Sequence, residues 1–563
     1  MKLFYASFSQ YVYYALPIFL AGFTYGWENA SMGGILAMPQ FLDYFNNPSA
    51  FRQGVLTAGL QAGEFGGSLI FGLLVPDRFG RRITILSAIA VYLVGQAIVV
   101  SSTTQAQFIV GRVINGLGAG AFFQTISLYG IHLSTSTKEN KWFRLTPMSR
   151  FTAEISPKQI RGQLTSFLNT GLGLGLLVAY WVQYGTAGIS GNASWRVPLG
   201  LQLVPAFIVG VMVIFRPETP RYLVRHDRQD EALEVLAKLR SKGVREDPLV
   251  QAELQEIRVI VEFEKQTPTP SYGAILFSKR YRRRTAIGMG VQFLQQATGV
   301  NVCLYYASKV FAQTGRTATS ATLLANGINS ALNFASSASL TVLTDWYGRR
   351  LPLILGPFLM GICFILVGTI LKEYGSPHFD KTTQAVQFNF QNASAGNAAI
   401  AFMFLYNVAF GGLYSSVPWT YPNEVFSVDA RARGTALSTS TNWFVNFWLS
   451  LYAPQALNKG SWRVYIGFAV INFFCSVVAY LFFPETAGRS LEEIDLLFLP
   501  SRSVWVTRDR QARSKDRLIE HDFSAGAESV GHDLEVALAV GVVAEKGEGG
   551  EKVASSEIET VKS

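Results

Sequence analysis

The stretch PDRFGRR at residues 76–82 returns as TDWYGRR at residues 344–350, each time directly after a long apolar run. Three further stretches repeat in the same order and at a nearly constant offset. EISPKQIRG at 154–162 is echoed by EVFSVDARARG at 424–434, where Glu424 and Arg431 keep the spacing of Glu154 and Arg161. SWRV at 194–197 returns at 461–464, and RPETPR at 216–221 returns as FPETAGR at 483–489. Four echoes in one order imply a duplicated half, with the opening signature at the same place in each copy.

Composition says what the halves are made of. Of 563 residues, 49% are hydrophobic and only 15% charged, against roughly a quarter charged in soluble chains. Twelve apolar runs begin near residues 12, 53, 84, 107, 164, 196, 285, 320, 352, 397, 434 and 462. Runs of about twenty residues cross a hydrocarbon layer about 30 Å thick. A large soluble core is excluded, because soluble helices are seldom apolar on every face for so long. The expected fold is an all-α membrane protein with twelve transmembrane helices in two pseudo-symmetric six-helix halves. The halves are residues 1–216 and 285–483. A polar linker, 217–284, separates them and contains DRQDEALEVLAKLR and DPLVQAELQEIRVIVEFEKQ, which read as charged amphipathic helices. Residues 484–563 form a polar tail, expected to be disordered after about 530.

The net charge is +10, but its distribution reads as topology and not as a nucleic-acid surface. Lys and Arg crowd 78–82, 138–161, 216–284, 349–350, 431–433 and the tail, while the loops near 35–52, 102–107, 185–194 and 372–396 carry few. The positive-inside rule then puts both termini and the linker in the cytosol. The opening MKLFYASFSQ lacks a signal-peptide pattern, so the first apolar run reads as a retained helix. Asn192 and Asn392 head N-x-S sequons in the outer loops. The three cysteines lie in apolar runs without metal spacing.

Further motifs fill the frame: GRVINGLGAG at 111–120, QQATGVNVCLYYA at 295–307, VPWTYPNEVF at 417–426 and PETAGRSLEEID at 484–495. Together with the repeated signatures they make residues 12–500 similar to the sugar porter family of the major facilitator superfamily, in the style of its fungal members. The resemblance implies a gate of charged residues at the cytosolic end that latches the halves together. Its N-half members are Asp77, Arg81, Glu154, Arg161, Glu218 and Arg221; its C-half members are Asp345, Arg349, Glu424, Arg431, Glu485 and Arg489.

Amides inside apolar runs supply both donors and acceptors, which sugar hydroxyls need. By resemblance Gln295, Gln296 and Asn301 are sugar ligands, joined by Asn333, Asn169, Tyr414, Asn442 and Trp443. Gln295 and Asn301 are six apart, on different faces of a regular helix, so a break near Gly299 is expected to make them converge. Ionisable residues in a span are costly and mark function. Glu28 aligns with the acid of proton-coupled members, and Arg112 with the arginine that pairs with it. Glu64 stands where the family has a small residue and is read as facing a wet cavity, in preference to a second proton site.

About twenty-two residues, near 130–151, separate LY from AEISPK, where the family runs almost directly on. They read as a retained intron, with a genuine insertion as the alternative. The whole points to alternating-access transport of a hexose or pentose with a proton. The expected setting is a multi-pass monomer in the plasma-membrane bilayer, with no enzyme activity and no cofactor. A facilitator, a porter for a polyol, quinate or disaccharide, and a non-transporting sensor stay open.

Overall fold

The structure, a computed structural model, describes residues 2–74, 79–133, 160–241, 243–266, 270–305, 309–311, 319–380, 385–390, 392–427, 429–460, 462–487, 489, 491–499 and 502–513. Twelve helical spans follow the apolar runs. The N-terminal half holds α1 (Lys2–Ile35), α2 (Ala50–Leu74), α3 (Arg81–Val100), α4 (Gln105–Leu133), α5 (Ile160–Thr186) and α6 (Ala193–Leu201 with Leu203–Ile214). The C-terminal half holds α7 (Arg282–Ala297 with Val300–Tyr305), α8 (Thr319–Tyr347), α9 (Arg350–Tyr374), α10 (Ala393–Ala409, then Val417–Val425), α11 (Arg431–Gly460) and α12 (Trp462–Phe482).

The packing repeats as the sequence does. In the first half α1 runs along α5, α2 and α3 along α4, and α3 beside α6. In the second half α7 runs along α11, α8 and α9 along α10, and α9 beside α12. The halves meet where α2 lies on α11 and α5 on α8, contacts that exchange under the same repeat. Small residues permit the close approaches: a Cβ on Gly116 of α4 would lie 2.1 Å from the Leu60 carbonyl of α2. Such small-residue seams hold helices together where no hydrophobic drive separates protein from lipid.

Exposure also obeys the repeat. Phe207 on α6, Phe358 on α9, and Val470 and Phe474 on α12 show large apolar surfaces outward, as lipid-facing helices should. Among the described residues, six spans are apolar enough to cross a membrane by length and composition alone: α3, α4, α6, α9, α10 and α12. The rest carry buried polar groups. Glu28 and Asn29 lie on α1, Gln61 and Glu64 on α2, Gln295 and Gln296 on α7, Asn442 and Asn446 on α11. Their lower hydropathy is the mark of helices that face the interior.

The linker forms Pro220–Arg225, Gln229–Arg240, Pro248–Gln266 and Tyr272–Phe277. Leu223, Leu236, Val250 and Leu254 give it a small core of its own. Residues 375–390 add a feature the all-α expectation lacked. Gly375–Asp380 (β1) and Ala385–Phe390 (β2) pair antiparallel as a hairpin, Gly375 opposite Phe390. Asp77 and Glu154 lie outside the described residues, as do 134–151 of the extra stretch and the tail beyond 513.

Candidate functional site

At the junction of the halves is a narrow cavity of about 70 Å³. Its C-half wall is built on a broken helix. The first part of α7 ends at Ala297, Gly299 takes φ +88°, and the helix restarts at Val300. That left-handed conformation suits glycine, and Phe468 sits 2.9 Å from where its Cβ would be. Across the break Asn301 Nδ2 donates to Gln296 Oε1 at 2.5 Å, and Gln295 and Asn301, the pair expected to converge, both line the cavity.

Asn442 of α11 binds this wall from behind. Gln296 Nε2 donates to its Oδ1 at 2.7 Å, and its Nδ2 donates to Gln292 Oε1 at 2.6 Å and to Gln295 Oε1 at 3.0 Å. Gln295, Gln296, Asn301, Asn333, Asn169 and Trp443 all line the cavity, whereas Asn442 is fully buried behind it. Two lining donors, Asn169 Nδ2 and Trp443 Nε1, have no hydrogen-bond partner among the described residues. Buried donors in that condition are rare and call for a ligand or water.

Tyr414 departs from expectation. Phe410–Tyr414 is a π-turn, and Tyr414 packs on Gly356 of α9, off the cavity. Trp419, five residues on, lines the cavity instead and lies 5.8 Å from Trp443, centroid to centroid. Tyr25, Asn29, Ser337 and Ser415 also line it. Sequence reasoning did not select them, although Trp419 stands inside the VPWTYPNEVF motif. At the end of the cavity away from the signatures, Tyr180 Oη of α5 donates to the Leu304 carbonyl of α7 at 2.7 Å. That bond spans the two halves.

Beside the cavity, the N-half buries a charged cluster. Arg112 Nη1 of α4 donates to Glu28 Oε1 of α1, and to Ser31 Oγ at 3.2 Å. Tyr92 Oη of α3 donates to Glu28 Oε2 at 3.0 Å. Glu28 and Arg112 are each 1% exposed, so this is a pair withdrawn from water and held by its own hydrogen bonds. Glu64 is 0% exposed and does not line the cavity. The wet-cavity reading of Glu64 is therefore corrected: its side chain is buried, and α4 packs on its backbone through Gly116 and Gly120.

At the signature end each half carries the same cap. The Glu218 carboxylate accepts from the backbone N–H of Arg81 at 3.1 Å and of Arg82 at 3.0 Å, at the start of α3. The Glu485 carboxylate accepts from the N–H of Arg349 at 2.9 Å and of Arg350 at 3.2 Å, at the start of α9. A carboxylate there satisfies orphan donors and meets the positive end of the helix dipole. The second arginine of each signature caps the half's last helix: Arg82 donates to the Ile214 carbonyl and Arg350 to those of Tyr480 and Phe483. Arg349 also pairs with Glu424 at 3.3 Å. The bonds described here for Glu218, Glu424 and Glu485 lie within a half. Folding brings the two members of the motif, 136 residues apart in the C-half, to one helix end. Arg431 Nη2 donates to the Phe426 carbonyl at 3.3 Å. Arg489 lies among Glu493, Glu485 and Asp509, and Arg221 lies in the Pro220–Arg225 helix. The side chains of Arg161 and Asp345 fall outside the description.

The linker joins this end through Tyr281, whose Oη donates to Asp429. Burial, then the bond and charge of Asp429, push the Tyr281 phenol up to about 12.

Comparison with known proteins agrees with this architecture. The family described as "Sugar (and other) transporter" matches residues 14–139 and 144–498, breaking within the extra stretch. A high-affinity glucose transporter of Kluyveromyces lactis is 32% identical over 87% of this chain and 85% of its own length. High-affinity glucose transporter 1 of Candida albicans is also 32% identical, over 87% and 86%. The MFS glucose transporter mfs1 of Aspergillus flavus is 30% identical, over 88% and 91%. Among solved structures, the proton:xylose symporter XylE bound to 6-bromo-6-deoxy-D-glucose superposes with a TM-score of 0.67 at 22% identity, covering 87% of this chain and 99% of its own. A repeated six-helix half, a cavity at the junction and these relatives lead to one conclusion: the chain belongs to the sugar porter family of the major facilitator superfamily.

Proposed function

We propose that this protein carries a monosaccharide, a hexose or pentose, across the membrane by alternating access, together with a proton. The observation that carries the sugar reading is the cavity itself: amides and indole N–H groups around aromatic faces, two of the donors unpaired among the described residues. Sugars present hydroxyls at their edges and C–H faces between them, and this wall offers partners for both. The glucose-transporter relatives support the sugar class.

The proton reading rests on Glu28. While it is ionised, Arg112 and Tyr92 hold it and tie α1 to α4 and α3. Protonation removes the charge that Arg112 is paired with and loosens that tie, so α1, which lines the cavity through Tyr25 and Asn29, is freed to move. In this reading the signature end faces the cytosol, as do both termini, in the plasma membrane. Residues 1–216 and 285–483 are the moving halves of a monomer, and 217–284 ties them.

Uptake of a labelled sugar panel in a transport-null yeast, at two outside pH values, tests this. The wild-type protein is expected to accumulate one sugar uphill at acid pH and to lose the gradient with an uncoupler. Glu28→Gln should keep exchange of that sugar and lose accumulation. Uphill accumulation by Glu28→Gln would sink the proton assignment. Surface expression without any uptake would favour a sensor.

A further inference from the structure

Glu64 is a buried acid that the transport scheme above does not use. It sits on α2, 0% exposed, and neither of its carboxyl oxygens makes a hydrogen bond of good geometry. The ionisable groups acting on it are Glu28 and Tyr25 from α1 and Arg112 from α4. Tyr92 of α3 faces the same pocket through Glu28. On its remaining side α2 packs against α11, where Ser440 meets Ser68 at 3.4 Å and Phe444 meets Phe65. The Tyr25 ring lies near Glu64, short of good hydrogen-bond geometry, and also lines the sugar cavity against Trp443 at 5.8 Å.

Counting charge in this dry pocket gives two carboxyl groups and one guanidinium, and Arg112 is committed to Glu28. An unpaired ionised carboxylate in such a place is far costlier than a neutral acid. Two interacting acids then share their protons as one unit. We propose that Glu64 is a second proton-holding group of the coupling site: it carries a proton while Glu28 is paired with Arg112, and Tyr25 joins it to the sugar cavity. The resting pocket is then neutral. A further proton arriving on Glu28 leaves Arg112 unpaired and the pocket with one positive charge, which separates the helices. Sugar contacting Tyr25 reaches the protonated acid through one side chain.

The inference rests on the assignment of Glu28 above, but its test does not depend on transport. Purified full-length protein in nanodiscs is examined by infrared difference spectroscopy at neutral pH, following the protonated-carboxyl stretch that shifts in heavy water. Wild-type protein should show such a band, and Glu64→Gln should lose it. Sugar binding should shift the band in the wild type and not in Tyr25→Phe. Glu64→Gln imitates the neutral acid, so it should stay folded, as checked by its elution and unfolding midpoint. A band that survives in Glu64→Gln overturns the proposal, and so does its absence from the wild type, which needs no variant. A band lost in Glu64→Gln beside uphill accumulation by Glu28→Gln would leave Glu64 a proton carrier and fail only the Glu28 assignment.

Discussion

Two buried polar clusters flank the cavity, and they differ in kind. The N-half cluster is ionisable: Glu28, Glu64 and Arg112, with Tyr92 as a neutral donor. The C-half cluster is neutral: Gln292, Gln295, Gln296, Asn301 and Asn442, joined amide to amide. A charged cluster in low dielectric answers steeply to a proton, because one proton cancels a full charge. An amide cluster ignores protons in the ordinary pH range but answers to hydroxyls, since every amide both donates and accepts. In the proposed scheme this division gives the response to pH to the N-half and most of the sugar contacts to the C-half, with Tyr25, Asn29 and Asn169 of the N-half completing the cavity wall. Tyr25 and Trp443, in edge contact at 5.8 Å, stand between them.

The sharpest way to break this comparison is to remove the cation of the N-half cluster. Arg112→Ala should leave Glu28 without its counter-charge and cost about 3–5 kcal/mol. A large fall in the unfolding midpoint of the purified protein is expected. Adding Glu28→Gln to Arg112→Ala should restore much of that loss, because the orphaned charge is gone. No fall for the single variant would mean that the pair is not held dry.

On the other side, Asn442→Ala should weaken sugar binding by roughly tenfold, equivalent to about 1.4 kcal/mol. Asn442 does not touch the cavity, so the effect would come from Gln295 and Gln296 losing the partner that fixes their orientation. Equilibrium binding of labelled sugar should show the loss, while the pH dependence of uptake keeps its shape. A change in the pH profile with unchanged binding would contradict the division between the halves.

Much of this was legible in the chain. The echoes at 76–82 and 344–350 revealed the repeat, and the spacing of Gln295 and Asn301 demanded the break that Gly299 makes. What stayed hidden depended on geometry that a string does not carry. The π-turn at Phe410–Tyr414 adds a residue to one helical turn. That shifts the face presented afterwards, so alignment selected Tyr414 where the structure uses Trp419. Asn442 lies in the right helix but one layer behind the wall, a depth that periodicity does not reveal. Glu64 looks wet by sequence because acids usually are. Only the close approach of α2 and α4 shows that it is dry.

The smallest effect concerns the two caps, where the halves look most alike. Glu218 accepts from the N–H groups of Arg81, Arg82 and Thr219. Glu485 accepts from those of Arg349, Arg350, Thr486 and Ala487. Replacing either by Gln keeps the shape but removes the charge and one accepting oxygen, at a cost of about 1 kcal/mol. Glu485→Gln should cost slightly more than Glu218→Gln, because the Glu485 carboxylate satisfies more donors. Unfolding midpoints of the two variants measured side by side would order them. The reverse order would mean that the cap of α3 has support beyond its backbone donors, and that the halves are less alike at this end than their shared motif implies.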